Sequence, residues 1–170
     1  YFIYSAIKYA NQAIATKSSQ SLAVVGADAQ TSITDLDREL IILVVGETAR
    51  SDHFSINGYE RDTTPQLRDA KVVSYTNYWA CGTSTAISVP CMFFMEGMEK
   101  FDLKTAGTQQ NLLDVLVHAG ANVLWLDNNS DSKGVAIRVP YQSFKSPEHN
   151  PLCDGECRDE GMLVQLQDYI

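Results

Sequence analysis

The sequence predicts an α/β fold, a sheet covered by helices, and three observations carry that reading. From Glu39 onward, apolar runs of strand length alternate with stretches of helical periodicity, joined by short connections. The run 40–45 (Leu-Ile-Ile-Leu-Val-Val) holds no polar residue, the pattern of a buried strand. Finally, 170 residues, 45% hydrophobic and 20% charged, can bury a core and would normally form one domain.

Residues 1–36 read as a distinct leader. Its first part, 1–15, carries apolar residues at helical spacing, with Tyr4, Ile7, Lys8 and Asn11 marking the turns. Residues 16–37 are small and polar and read as a linker. Beyond it the strand candidates are 40–45, 72–75 and 122–126, and the helix candidates 65–70, 85–95, 109–119 and 160–170. Thr108 is the expected N-cap of the 109–119 helix, and Gly120 its C′ residue. The chain opens on Tyr1 and ends inside an amphipathic pattern, so both ends read as cut from a longer protein.

A net charge of −8 without a basic stripe argues against a nucleic-acid partner, and weakly against direct docking on an anionic membrane. No run of eighteen apolar residues exists to span a bilayer. Four cysteines in two close pairs suit an oxidising compartment. Local pairing, Cys81 with Cys91 and Cys153 with Cys157, is the most economical of the three connectivities. The rival is a four-cysteine zinc site, whose usual Cys-x₂₋₄-Cys spacing the Cys81–Cys91 interval does not match.

Three segments carry candidate chemistry. Residues 81–92, Cys-Gly-Thr-Ser-Thr-Ala-Ile-Ser-Val-Pro-Cys-Met, set Thr83, Ser84, Thr85 and Ser88 around a helix start, where unpaired N–H groups and the dipole favour an anion. The same hydroxyls also suit an N-cap inside a stapled loop. Glu47 follows the 40–45 run and Gly46. Ligands of open α/β sheets bind beyond the carboxyl ends of strands, so a metal ligand or catalytic acid belongs at that position. Glu47 and Thr48 are equally suited to capping a following helix. Residues 127–133, Asp-Asn-Asn-Ser-Asp-Ser-Lys, follow the 122–126 strand. Lys133 there can hold a phosphate as a point charge and Asn129 can donate from its amide, although the composition is also that of a surface loop.

In order along the chain, Val-Val-Gly-Glu47-Thr-Ala-Arg, Asn57-Gly-Tyr-Glu-Arg-Asp-Thr-Thr-Pro65, the 81–92 segment and Asp127-Asn-Asn-Ser-Asp-Ser-Lys133-Gly resemble the lipid A phosphoethanolamine transferases. That family includes the mobile colistin-resistance enzymes, and the resemblance runs from about Glu39 to the end. It implies a sulfatase/alkaline-phosphatase-like sheet covered by helices on both faces, truncated at the C-terminus. Residues 37–170 would be the N-terminal part of a periplasmic catalytic domain. Residues 1–36 would be a juxtadomain helix and linker after a membrane-spanning region missing from this sequence.

The resemblance also implies an activity: zinc-dependent transfer of phosphoethanolamine from phosphatidylethanolamine to a lipid A phosphate, at the periplasmic face of the bacterial inner membrane. Resistance to polymyxin-type cationic peptides would result. Thr85 would be the nucleophile and a zinc ligand, Glu47 a second ligand, and Asn129 and Lys133 contacts to the head group, with Thr83 lining the site. Zn2+ meets a chemical need, because a threonine hydroxyl is almost wholly protonated at neutral pH and coordination lowers the pKa of a bound oxygen.

The family takes further zinc ligands from a later Asp-His motif. No such pair follows Thr85 in the right context, and Asp52-His53 lies upstream. Two protein ligands make a poor zinc site, so these residues alone are expected to bind zinc weakly and to be inactive. His53, His118 and His149 match no motif position. The alternatives are a phosphate- or sulfate-ester hydrolase of the same fold, a transferase acting on another periplasmic glycan, and a non-catalytic stapled module. Val89-Pro-Cys-Met lacks the Cys/Ser-x-Pro-x-Arg frame of sulfatases.

Overall fold

The computed structural model describes residues 21–164 and 166, apart from 33, 35 and 36. The helix expected over 1–15 lies outside them. Four helices are present among the described residues: α1 (Pro65–Asp69), α2 (Thr85–Met92), α3 (Leu103–Thr108) and α4 (Leu112–His118). Two strands, β1 (Trp125–Asp127) and β2 (Tyr141–Ser143), pair in parallel with Trp125 opposite Tyr141 and Asp127 opposite Ser143. A parallel pair cannot be joined by a tight hairpin, and the connection over 128–140 crosses back through a series of turns.

Local chemistry explains where the helices start. Pro65 opens α1, where its missing N–H costs nothing and its fixed φ suits the helix. Asp102 caps α3 by accepting from the Lys104 and Thr105 N–H groups. Asn111 caps α4: its Oδ1 accepts the Leu113 N–H at 2.9 Å, while Asp114 accepts the Asn111 N–H at 2.8 Å. Gly120 then follows with φ +89°, the left-handed conformation expected of a C′ glycine.

The core sits where α2, α4 and the 128–140 crossover meet. Val89, Phe93, Leu113, Val135 and Ala136 are buried together, with Val45, Leu112, Val123, Trp125 and Val139 packed against them. Asp114 is buried beside this cluster and is neutralised by a bidentate pair with Arg138, both bonds 2.7 Å. Asn111 Nδ2 donates to the Val135 carbonyl. Helix α4 and the crossover are therefore tied by polar as well as apolar contacts.

Several sequence expectations are corrected by the structure. The runs 40–45 and 72–75 are not strands among the described residues. Leu40 to Val44 are 56–83% exposed and only Val45 reaches the core cluster. A strand exists through its ladder partner, and among the described residues neither run has one. The strand expected at 122–126 is shifted to Trp125–Asp127. Thr108 does not cap the 109–119 helix; it ends α3, its hydroxyl bonding the Lys104 and Thr105 carbonyls. The capping position goes to Asn111, whose amide reaches the first-turn N–H.

Helix α2 stops at Met92 rather than 95, because Phe93 and Phe94 turn into the interior. Of the helix expected over 160–170, the described part begins as a 3₁₀ turn, Asp159–Leu163, and 165 and 167–170 lie outside the described residues. Residues 21–26 lie against the α3–α4 junction. The Ala23 N–H donates to the Thr108 carbonyl, and the Gln110 N–H to that of Ala23.

Candidate active site

Thr85 is the first residue of α2, and its position follows from the loop before it. The Cys81–Cys91 disulfide closes that loop onto the helix, with Cys91 buried in the same turn as Val89. Gly82 permits the close return, since a Cβ there would stand 2.9 Å from Ile87 Cγ2. Ser84 is the N-cap residue but makes no side-chain capping bond, which leaves the helix end beside Thr85 without a cap.

The Thr85 hydroxyl donates to the Glu47 carboxylate, 3.0 Å from each oxygen. Thr48 also donates its hydroxyl to Glu47 Oε1, at 2.9 Å. Glu47 and Thr48 are exposed and Thr85 half-buried, so the pair opens to solvent. Thr48 holds φ +52°. A β-branched residue in the left-handed region costs about 1–2 kcal/mol, and such strain persists where the surroundings hold it for a purpose. At this position it turns the chain directly after the carboxylate.

The second group of candidates lies at the carboxyl end of β1. Asp127 is 6% exposed and accepts from the Asn129 N–H at 3.0 Å, from Lys145 Nζ at 3.2 Å, and from the Tyr141 hydroxyl. Burial pushes the Asp127 carboxyl up, but these donors together outweigh it and hold the group below the usual carboxylate range. Burial and the bond to Asp127 push the Tyr141 phenol well up. The Asn129 side chain is exposed. Lys133 holds φ +52° and is ion-paired to Asp131 at 3.3 Å. Asn128 Nδ2 donates to the Cys157 carbonyl and to Asp159, tying this loop to the second disulfide, Cys153–Cys157.

The structure thus joins Glu47 to Thr85 directly. No hydrogen bond joins Thr83, Asn129 or Lys133 to that pair among the described residues. Thr83 is exposed just ahead of α2. His53 bonds Asp52 and packs its ring at a tilt against Tyr59, and His118 bonds Gln110. Sequence reasoning assigned Asp127 no role of its own. Its signal was the one that singled out Glu47, an acid at the carboxyl end of an apolar run, masked in this case by the Asn/Ser-rich residues after it.

A family model described as Sulfatase matches residues 39–170. The chain belongs to the sulfatase family. This sulfatase-family chain is 51% identical over 139 residues to phosphatidylethanolamine transferase Mcr-1 of Escherichia coli, covering 77% of itself and 26% of that protein. It thus spans about a quarter of the length of that relative. It is also similar to the soluble domain of lipooligosaccharide phosphoethanolamine transferase A from Neisseria meningitidis: 35% identity, TM-score 0.79, 89% of this chain and 47% of that one. Similarity extends to the integral membrane form of that Neisseria protein, with 33% identity, TM-score 0.83, and 99% and 32% covered. The alkaline-phosphatase/sulfatase-like α/β fold is therefore that of the relatives.

A carboxylate and a hydroxyl that converge on one another are oxygen donors zinc accepts, and they fit one edge of a tetrahedral site. No group of three or more His, Cys, Asp or Glu converges among the described residues.

Proposed function

We propose that this chain carries the nucleophile and part of the metal site of a phosphoethanolamine transferase. In this reading it takes the group from phosphatidylethanolamine and passes it to a phosphate of lipid A, at the periplasmic face of the inner membrane. The observation that carries the reading is the bond between Thr85 and Glu47, residues 38 positions apart that meet at one hydroxyl. The names of the relatives supply the group transferred, and lipooligosaccharide in one of them supports a lipid A type of acceptor. The two disulfides support an oxidising, extracytoplasmic compartment.

Glu47 and Thr85 would hold a zinc ion, with further ligands from outside these described residues. Bound there, zinc would supply Lewis acidity toward the phosphoryl oxygens and lower the pKa of the hydroxyl. The chain's own residues do the rest. Glu47 aims the Thr85 oxygen and draws on its proton through the bond already present. The oxygen attacks phosphorus, an Oγ–P bond forms, and the P–O bond to diacylglycerol breaks, its oxygen leaving with a proton. The uncapped N–H groups at the start of α2 face the charge that develops on the phosphate. Lys133 and Asn129 would contact the head group and Thr83 line the site. In the second half, a lipid A phosphate oxygen attacks the same phosphorus, the Oγ–P bond breaks, and the Thr85 oxygen takes back a proton, which restores the hydroxyl. The added amine would lower the anionic charge that draws polymyxin-type peptides to the surface.

The test is tandem mass spectrometry of the Thr85 peptide from full-length protein purified from a phosphatidylethanolamine-containing bacterium. A phosphoethanolamine adduct on Thr85, absent in Thr85→Ala, is the expected result. A bare phosphate would replace this reading with a hydrolase. An unmodified peptide together with full activity in Thr85→Ala would end it.

A further inference from the structure

Asp127 is a buried acid that the proposed chemistry does not use, and its bonds explain a feature of the loop beside it. The loop following β1 is strained: Asp131 holds φ +151° and Lys133 φ +52°, neither being glycine. Left to itself, such a segment would relax toward ordinary turns. It is pinned at its first turn by Asp127, whose Oδ1 takes the Asn129 N–H at 3.0 Å. The other carboxylate oxygen faces β2 and the segment after it, accepting from the Tyr141 hydroxyl and from Lys145 Nζ at 3.2 Å. A second clamp, the Asp131 Oδ1 bond to the Lys133 N–H at 2.6 Å, shapes the far end.

We propose that Asp127 is the positioning residue of the loop 128–134: its carboxylate, fixed to β2 by Tyr141 and Lys145, captures the Asn129 N–H and so sets where Asn129 and Lys133 stand. Asp127 touches no substrate. It acts through the loop, and the inference rests on the reading of Asn129 and Lys133 as head-group contacts. A neutral amide in its place retains one acceptor but loses the charge that holds the tyrosine and lysine together. The loop then samples other turns, and only part of the population presents both contacts, which raises the apparent constant for the donor in inverse proportion to that fraction.

The experiment is steady-state transfer kinetics of the full-length protein in detergent, with phosphatidylethanolamine as donor. Wild type is compared with Asp127→Asn, Tyr141→Phe and Lys133→Ala, each with a thermal melt. A fall in folded fraction lowers the apparent kcat and leaves KM alone, so KM separates positioning from mere stability. The expected result is a donor KM raised about tenfold in Asp127→Asn and about threefold in Tyr141→Phe, with kcat changed less than KM. Tyr141→Phe keeps the ring, so it decides the matter if Asp127→Asn does not fold.

A raised KM in Lys133→Ala with an unchanged KM in both other variants would overturn the positioning role and leave the head-group reading standing. An unchanged KM in Lys133→Ala would remove the head-group reading, and this inference with it.

Discussion

The Thr85 hydroxyl donates to both oxygens of Glu47, 3.0 Å from each, although the two residues stand 38 positions apart in the chain. A hydroxyl so placed is aimed by the carboxylate rather than left to rotate, and the two donors present one edge to a cation. Under the proposed function, reactivity at the start of α2 would depend on both side chains together.

Removing either partner is expected to cost transfer. Thr85→Ala deletes the attacking oxygen, and head-group transfer by the full-length protein is expected to fall by about 10³-fold or more, with no adduct on the peptide. Glu47→Gln keeps the hydrogen-bond geometry and removes the charge, so transfer should fall comparably while the melting temperature stays within a few degrees. Thr85→Ser retains a hydroxyl and should keep measurable transfer. Radiolabelled donor and a lipid A acceptor provide the assay, and unimpaired Thr85→Ala would refute the role.

Zinc binding by the 170-residue chain itself is expected to be weak. Two converging oxygens compare poorly with the three protein ligands of an ordinary catalytic site. Calorimetric titration of the purified chain should give no stoichiometric, tight binding at neutral pH. A one-to-one site abolished by Thr85→Ala would show that these residues suffice.

Gly161 is expected to be intolerant of any side chain. A Cβ there would overlap Asn150 Oδ1 and Cγ and stand 2.7 Å from its Nδ2. Asn150 is 1% exposed, and its amide bonds the Phe144 and Arg158 carbonyls and the Leu152 N–H. Gly161→Ala must push that amide out of its bonds, at a cost of about 2–4 kcal/mol from overpacking and lost hydrogen bonds. Urea unfolding measures this directly, and a loss under about 0.5 kcal/mol would contradict it.

Acid should act through Asp114. Its burial pushes the carboxyl up, but the Arg138 guanidinium, the Asn111 N–H and the surrounding charge outweigh that and hold it below the usual carboxylate range. A group whose folded value is depressed contributes stability above the unfolded value, about 3.9, and loses it as pH falls through the folded value. Unfolding free energy should therefore decline below about pH 4. Asp114→Asn should flatten that decline while lowering stability at neutral pH, because it leaves Arg138 partly buried and unpaired. An acid limb unchanged in Asp114→Asn would assign the effect elsewhere, for instance to Asp127.

Legibility from sequence differs sharply between the helices and the sheet. Helix ends are local: Pro65 at N1 and Gly120 at C′ could be read because the groups involved lie within a few residues. The choice between Thr108 and Asn111 as a cap was not local, since it depends on a separate helix α3 ending at Thr108. The runs 40–45 and 72–75 have a strand's composition and no ladder among the described residues, because pairing is a property of two segments and composition of one.

For the site, the motifs single out Glu47, Thr83, Thr85, Asn129 and Lys133 as candidates, and the cysteine pairs they suggest are the pairs the structure joins. Residue types, their order and the family they resemble could all be read along the chain. The hydrogen bond between Glu47 and Thr85 and the burial of Asp127 among Asn129, Tyr141 and Lys145 came from the folded arrangement alone. The physical reason is range. A cap or turn is settled by backbone groups a few residues apart, whereas a carboxylate's partners are whatever the folded chain carries to within hydrogen-bonding distance of it, about 3 Å.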